Sequence, residues 1–228
     1  MAKIYCYGED ALTLWALNNC IEEILEQIQD NTPPQECRPF YRPSFGRGGW
    51  GYRSSIGEFD AILIARNNVY LIESKWDGLL PDQRSEIELE KFFSSELEDV
   101  KLKYNIFTWY VKKWSENTPW ENFREEHQNE FEQEFPGKEI PGAGTLLAQR
   151  LEYILKSIKE VVQEHCSVKN VFLYFYREGK SVKLERLLEN GNPSNFFAAI
   201  VNLDYTPALS ADSNFILISQ KQTEKRIR

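Results

Sequence analysis

Five ionisable residues, Glu58, Asp60, Glu73, Lys75 and Asp77, gather around two apolar runs, Phe59–Ala65 and Val69–Ile72. Both runs are rich in Ile, Leu and Val and predict buried strands. Asn tolerates a positive φ, so Asn67-Asn68 predicts a two-residue type I′ turn between them. In that register Ile62 faces Glu73 and Asp60 faces Lys75. Side chains alternate along a strand, so all five charged residues fall on one face. Asp60 and Glu73 become diagonal neighbours, roughly 7 Å apart at Cβ. One cation between them is then within reach of both carboxylates. The plain alternative is a surface hairpin with solvated charges. Strands this apolar are usually central, and charges there are costly unless paired or bound to metal.

The elements around the hairpin are legible at lower resolution. Gly8-Glu9-Asp10 opens a helix with apolar positions at Leu12, Trp15, Ala16, Ile21, Ile24, Leu25 and Ile28, ended by Pro33-Pro34. Its two acids suit a helix N-terminus, Glu9 in YGEDALTLWAL and Asp10 as its alternate. Cys37–Tyr52, CRPFYRPSFGRGGWGY, leads into the hairpin; over Arg38–Arg53 the four arginines Arg38, Arg42, Arg47 and Arg53 alternate with aromatics and glycines. Arginines bind phosphate and aromatics stack on bases, so the four are candidate nucleic-acid contacts. A Gly-rich loop with core aromatics is the competing reading. Arg84 to about Glu116 is helical in period, with Phe93, Val100, Tyr104, Phe107 and Val111 in its stripe. Residues 116–139 hold eight Glu against Arg124 and Lys138 and predict an exposed insertion with few apolar anchors. Thr145–His165 is the clearest amphipathic helix, and it leads into a strand at Val168–Tyr176. The tail predicts a helix near Pro193–Val201, a strand at Phe215–Ser219 and a frayed basic end.

Asp60, twelve residues, then Glu73-Ser74-Lys75 resembles the PD-(D/E)xK nuclease superfamily. Gly57-Glu58-Phe59-Asp60 looks like the form found in Mrr-like, Holliday-resolvase-like and NERD-type members, with Phe59 in the place of the proline. The resemblance implies a restriction-endonuclease-like α/β fold, a mixed central sheet flanked by helices. Residues 1–228 would form a single domain with a helical, acidic insertion at about 84–142. It also implies that Asp60 and Glu73 hold Mg²⁺ (or Mn²⁺), with the Ser74 carbonyl as a third ligand and Glu9 completing the site. Lys75 would position or activate the attacking water, and Glu58 is a further candidate. Gln149-Arg150-Leu151-Glu152-Tyr153 is similar to the Q-x-x-x-Y of RecB-like members, which implies site or DNA contact for Gln149 and Tyr153. The pair lies 74 residues beyond Lys75, so an insertion between them is implied.

Composition bounds these readings. The net charge of −8 opposes a nucleic-acid partner at first sight, but residues 116–139 account for −6 of it. No apolar run reaches membrane length and no signal peptide is expected before Ile4, so the expected location is cytoplasmic. Cys6, Cys20, Cys37 and Cys166 have no paired spacing and are expected to be reduced thiols, without an iron–sulfur cluster. His127 and His165 take no assigned role. The expected function is Mg²⁺-dependent hydrolysis of DNA phosphodiesters; a homodimer is left open. Two rivals stand: a non-catalytic DNA-binding or assembly subunit on the same fold, and an interaction protein using its acidic segment.

Overall fold

The structure, a computed structural model, describes residues 4–46, 55–77, 89, 91–162, 166–177, 196–210 and 215–218. The chain runs β1 (Ile4–Cys6), α1 (Glu9–Asn19), α2 (Ile21–Gln27), β2 (Arg38–Tyr41), β3 (Ser44–Phe45), β4 (Gly57–Glu58), β5 (Ala61–Ile64) and β6 (Asn68–Trp76). It continues through α3 (Leu97–Lys113), α4 (Trp120–Glu134), α5 (Leu146–Val161), β7 (Ser167–Tyr176), β8 (Ala199–Asp204) and β9 (Ile216–Ile218). The class is α/β. Five strands form a mixed sheet in the order β2-β5-β6-β7-β8, flanked by helices; β5 is antiparallel to β2 and β6, and β7 is parallel to β8. The described chain divides into two compact units. One holds Met1–Pro34, Glu73–Ser94 and Val171–Arg228; the other holds Gln35–Ile72 and Ser95–Asn170. Strands β6 and β7 each run from one unit into the other.

In the first unit, Gly8 carries the chain from β1 into α1 at φ 92°, a conformation that favours glycine. Its carbonyl accepts from the Ala11 and Leu12 amides, which fixes the first turn of α1. The single helix expected over this region is two: Asn19 turns its side-chain amide onto the Trp15 carbonyl at 3.0 Å, and the helix is interrupted at Cys20. Beyond it, Gln27 makes two hydrogen bonds to the Asn202 backbone, at 2.9 and 3.0 Å, and satisfies polar groups of β8. The helix expected near Pro193–Val201 is not formed in its described part. Ala199–Asp204 is strand β8, in which Val201 and Leu203 are buried and Asn202 is exposed. That two-residue alternation, paired in parallel with β7, wins over a weak helical spacing.

The second unit carries the hairpin. Its register differs by two residues from the expected one: Ile62 faces Leu71 and Ala61 faces Ile72, so the expected facing of Ile62 with Glu73 and of Asp60 with Lys75 is replaced. The chain reverses through Arg66-Asn67, closed by the Ala65 amide on the Asn68 carbonyl at 2.8 Å. Neither Asn67 nor Asn68 has a positive φ, so the turn is not type I′. The observed register pairs Ala61–Ile64 with Val69–Ile72, apolar against apolar throughout, and puts no charge opposite an apolar side chain. A two-residue shift keeps every side chain on its expected face.

The acidic stretch, expected as an exposed helical insertion with few apolar anchors, is helix α4, and what differs is its anchoring: Trp120, Phe123 and Phe131 on it are buried. Trp109 and Tyr110 of α3 receive them, with Trp109 and Phe131 centroids 4.9 Å apart and Tyr110 stacked on Trp120. Aromatic residues at wide spacing anchor a helix whose exposed face is mostly glutamate.

Buried phenols give this fold an alkaline limit. Burial pushes Tyr110 well above the usual tyrosine range, and its hydroxyl has no hydrogen-bond partner among the described residues. Tyr205 is raised by burial and by the Asp77 carboxylate that accepts its hydroxyl. A raised folded-state pKa means full stability below about pH 10, where the unfolded phenol ionises. Above it the unfolded chain sheds protons that the folded chain retains, and each phenol removes on the order of 1 kcal/mol per pH unit. The urea midpoint should therefore fall between pH 9 and 11. A Tyr110→Phe, Tyr205→Phe chain should show a visibly smaller fall.

Candidate active site

Strand β6 carries Glu73 and Lys75 on the same face, two residues apart, and Ser74 on the other. Helix α1 brings Glu9 to them from its first turn. Lys75 Nζ lies 3.4 Å from a carboxylate oxygen of Glu9 and 3.4 Å from one of Glu73. Glu73 is only 6% exposed, so its charge has lost most of its water and Lys75 supplies compensation. The ammonium also sits 5.1 Å above the Phe92 ring. Phe92 opens a π-helical turn, Phe92–Glu96, where an extra residue shifts the helix face. No feature of the sequence distinguished Phe92 from its neighbour Phe93.

The same strand ends in a second charged group. Asp77 is 3% exposed and accepts hydrogen bonds from the Arg177 amide at 2.9 Å and the Tyr205 hydroxyl at 2.8 Å. Its own amide donates to the Phe175 carbonyl at 2.9 Å. Asp77 therefore ties together the ends of β6, β7 and β8, which holds the strand that presents Glu73 and Lys75. The sequence placed Asp77 on the charged face but gave no sign of Tyr205, 128 residues away.

Asp60 belongs to the second unit, in the bend before β5, where its carbonyl accepts from the Arg42 amide at 3.0 Å. Ser74 is fully buried on β6. Glu58, on β4, pairs with the Arg42 guanidinium, and its carbonyl accepts from Lys103 Nζ at 3.0 Å. Arg42 has φ 46°, a left-handed conformation costing on the order of 1 kcal/mol. The Glu58 pair and the Asp60 carbonyl hold it there. Arg38 pairs with Glu160 at 2.6 Å. Of the four guanidiniums expected to meet phosphate, these two are thus engaged by carboxylates of their own unit. Arg47 and Arg53 lie outside the described residues. Gln149 donates to the Gly144 carbonyl at 3.3 Å, and Tyr153 stands exposed on α5.

Among the described residues, no group of three or more His, Cys, Asp or Glu is placed to hold a metal ion. A hard divalent cation that keeps most of its waters needs only one or two carboxylates, and Glu9 with Glu73 supplies that donor set. All four cysteines are free thiols, and no described helix is long and apolar enough to cross a membrane. In comparisons with known proteins, no family model, curated protein or solved structure matches this chain.

Proposed function

We propose that this chain is a metal-dependent nuclease that hydrolyses DNA phosphodiester bonds on a restriction-endonuclease-like core. The observation that carries the reading is one lysine held 3.4 Å from two carboxylates of separate elements, one of them buried. Acids and a base gathered in this way at low exposure make a functional-site candidate. Glu9 and Glu73 would hold Mg²⁺ or Mn²⁺, and the sequence resemblance adds Asp60 and the Ser74 carbonyl. Such an ion, when bound, supplies a water of lowered pKa and stabilises charge on the phosphoryl oxygens. Lys75 orients the attacking water and stabilises the charge that develops on the phosphate. Phe92 beneath the ammonium and the Asp77 tie at the strand end restrict where Lys75 reaches. Glu73, shielded from water, keeps its oxygens directed at the reacting group.

The same contacts favour a second reading. A lysine neutralised by two carboxylates is already a complete structural tie, and such a protein would bind DNA without cutting it. The two readings part on one experiment. Plasmid and oligonucleotide DNA should be cut by the purified chain with Mg²⁺ or Mn²⁺, and EDTA should stop the reaction. Ca²⁺ should support binding with little cleavage. Undiminished cleavage in excess EDTA would sink the metal mechanism, and binding without cleavage under any of these ions would favour the structural tie.

A further inference from the structure

An open groove of about 520 Å³ lies between β2–β3 and helix α5, wholly within the second unit. Its volume falls in the range of ~300–1,000 Å³ typical of ligand clefts. Phe40 and Leu146 line it, and three large side chains there stay in water: Tyr41 at 37% exposure, Leu146 at 60% and Tyr153 at 65%. Tyr153 meets Phe40 in a T-shaped contact, with centroids 6.2 Å apart, and its high exposure leaves a ring face open. Arg150, one helical turn from Ile154 on the same lining, donates a single hydrogen bond, to the Ser44 carbonyl at 3.3 Å. Among the described residues no carboxylate pairs with it. An apolar floor alone would suit many ligands. Two exposed aromatic rings beside an uncompensated guanidinium select a flat ligand with a π face and a negative charge.

We propose that this groove binds one strand of unpaired nucleic acid, with bases stacked on Tyr153 and Tyr41 and a phosphate on Arg150. A base within a duplex offers only its edges, because both its faces are covered by neighbouring pairs. Stacking platforms of this kind therefore favour single strands. Stacking needs no metal ion, so the site does not rest on the cleavage reading and can be measured with the ion removed.

The test is fluorescence anisotropy in EDTA, with a labelled oligothymidylate of about ten nucleotides as the probe. The wild-type chain should bind it, and a duplex of equal length should compete at least about tenfold less well. Tyr153→Ala and Arg150→Ala should each weaken binding by about fivefold or more. Both side chains are exposed, so neither substitution opens the core. An abasic strand of the same length should bind as weakly to wild type as the oligothymidylate binds to Tyr153→Ala. The proposal is overturned if the probe does not bind at about 100 μM, if the duplex competes equally, if the abasic strand binds equally, or if both variants keep wild-type affinity.

Discussion

Lys75→Ala should lower the rate of DNA cleavage by about 10²–10⁴-fold while changing DNA affinity by no more than about twofold. The ammonium is 3.4 Å from both Glu9 and Glu73, which would place it beside a water or phosphate oxygen on an ion held by those acids. Its loss leaves the two carboxylates in place. Removing a nearby cation keeps or raises their affinity for a divalent ion. On the proposed reading, phosphate contacts elsewhere would carry most of the binding, and one charge among many would be a small part of it. Cleavage would fall because the group would act chiefly in the transition state. Glu73→Gln should behave differently, losing metal binding and cleavage together. Removing one partner of a largely buried charge cluster also costs stability. Thermal melting of each variant therefore belongs beside the rates. A rate that falls only in proportion to the folded fraction, or not at all, assigns Lys75 a structural role.

Phe59→Ala should destabilise the chain by about 3–5 kcal/mol, the cost of emptying a large aromatic site in a core. Phe59 is fully buried between Glu58 and Asp60. Its ring stacks on Tyr104 at 5.2 Å and meets Phe45 at 5.7 Å and Phe107 at 5.4 Å. Lys103 Nζ lies 5.4 Å from its centroid. All these partners lie in the second unit, so the loss is felt across the sheet strands and α3 together. For a chain of this size the melting temperature should drop by roughly 6–20 °C. Phe59→Leu, which refills most of the volume, should recover much of that loss. A Phe59→Ala chain that melts within about 2 °C of wild type would show that the cluster collapses onto the vacancy, or that the ring contributes little.

Phe59 is thus a core side chain, and this much was visible in the sequence. An apolar residue between two acids, at the start of a run of Ala, Ile and Leu, has only the core to enter. The α/β class, strands β5 to β7 and helix α5 were legible for the same reason. Period-two and period-3.6 patterns are local, and backbone geometry converts them directly into buried faces. Glu73 and Lys75 share a face because they are two residues apart on a strand, and no tertiary contact is needed to say so. What no local pattern encodes is which element stands opposite. The hairpin slipped two residues from its expected register because matching four apolar pairs outweighed the turn preference of Asn67-Asn68. Arg42 met Glu58, and Asp77 met Tyr205, across gaps of 16 and 128 residues. Helix α4 folded on three aromatic anchors whose receivers, Trp109 and Tyr110, lie on another helix. The lysine between Glu9 and Glu73 is of the same kind. The sequence supplied the three side chains, but only the packing of α1 beside β6 brought a first-turn acid 66 residues away to within 3.4 Å of Lys75. Charge pairing over such separations depends on where the apolar faces come to rest, because burial, not attraction between solvated ions, supplies most of the energy that holds the elements together.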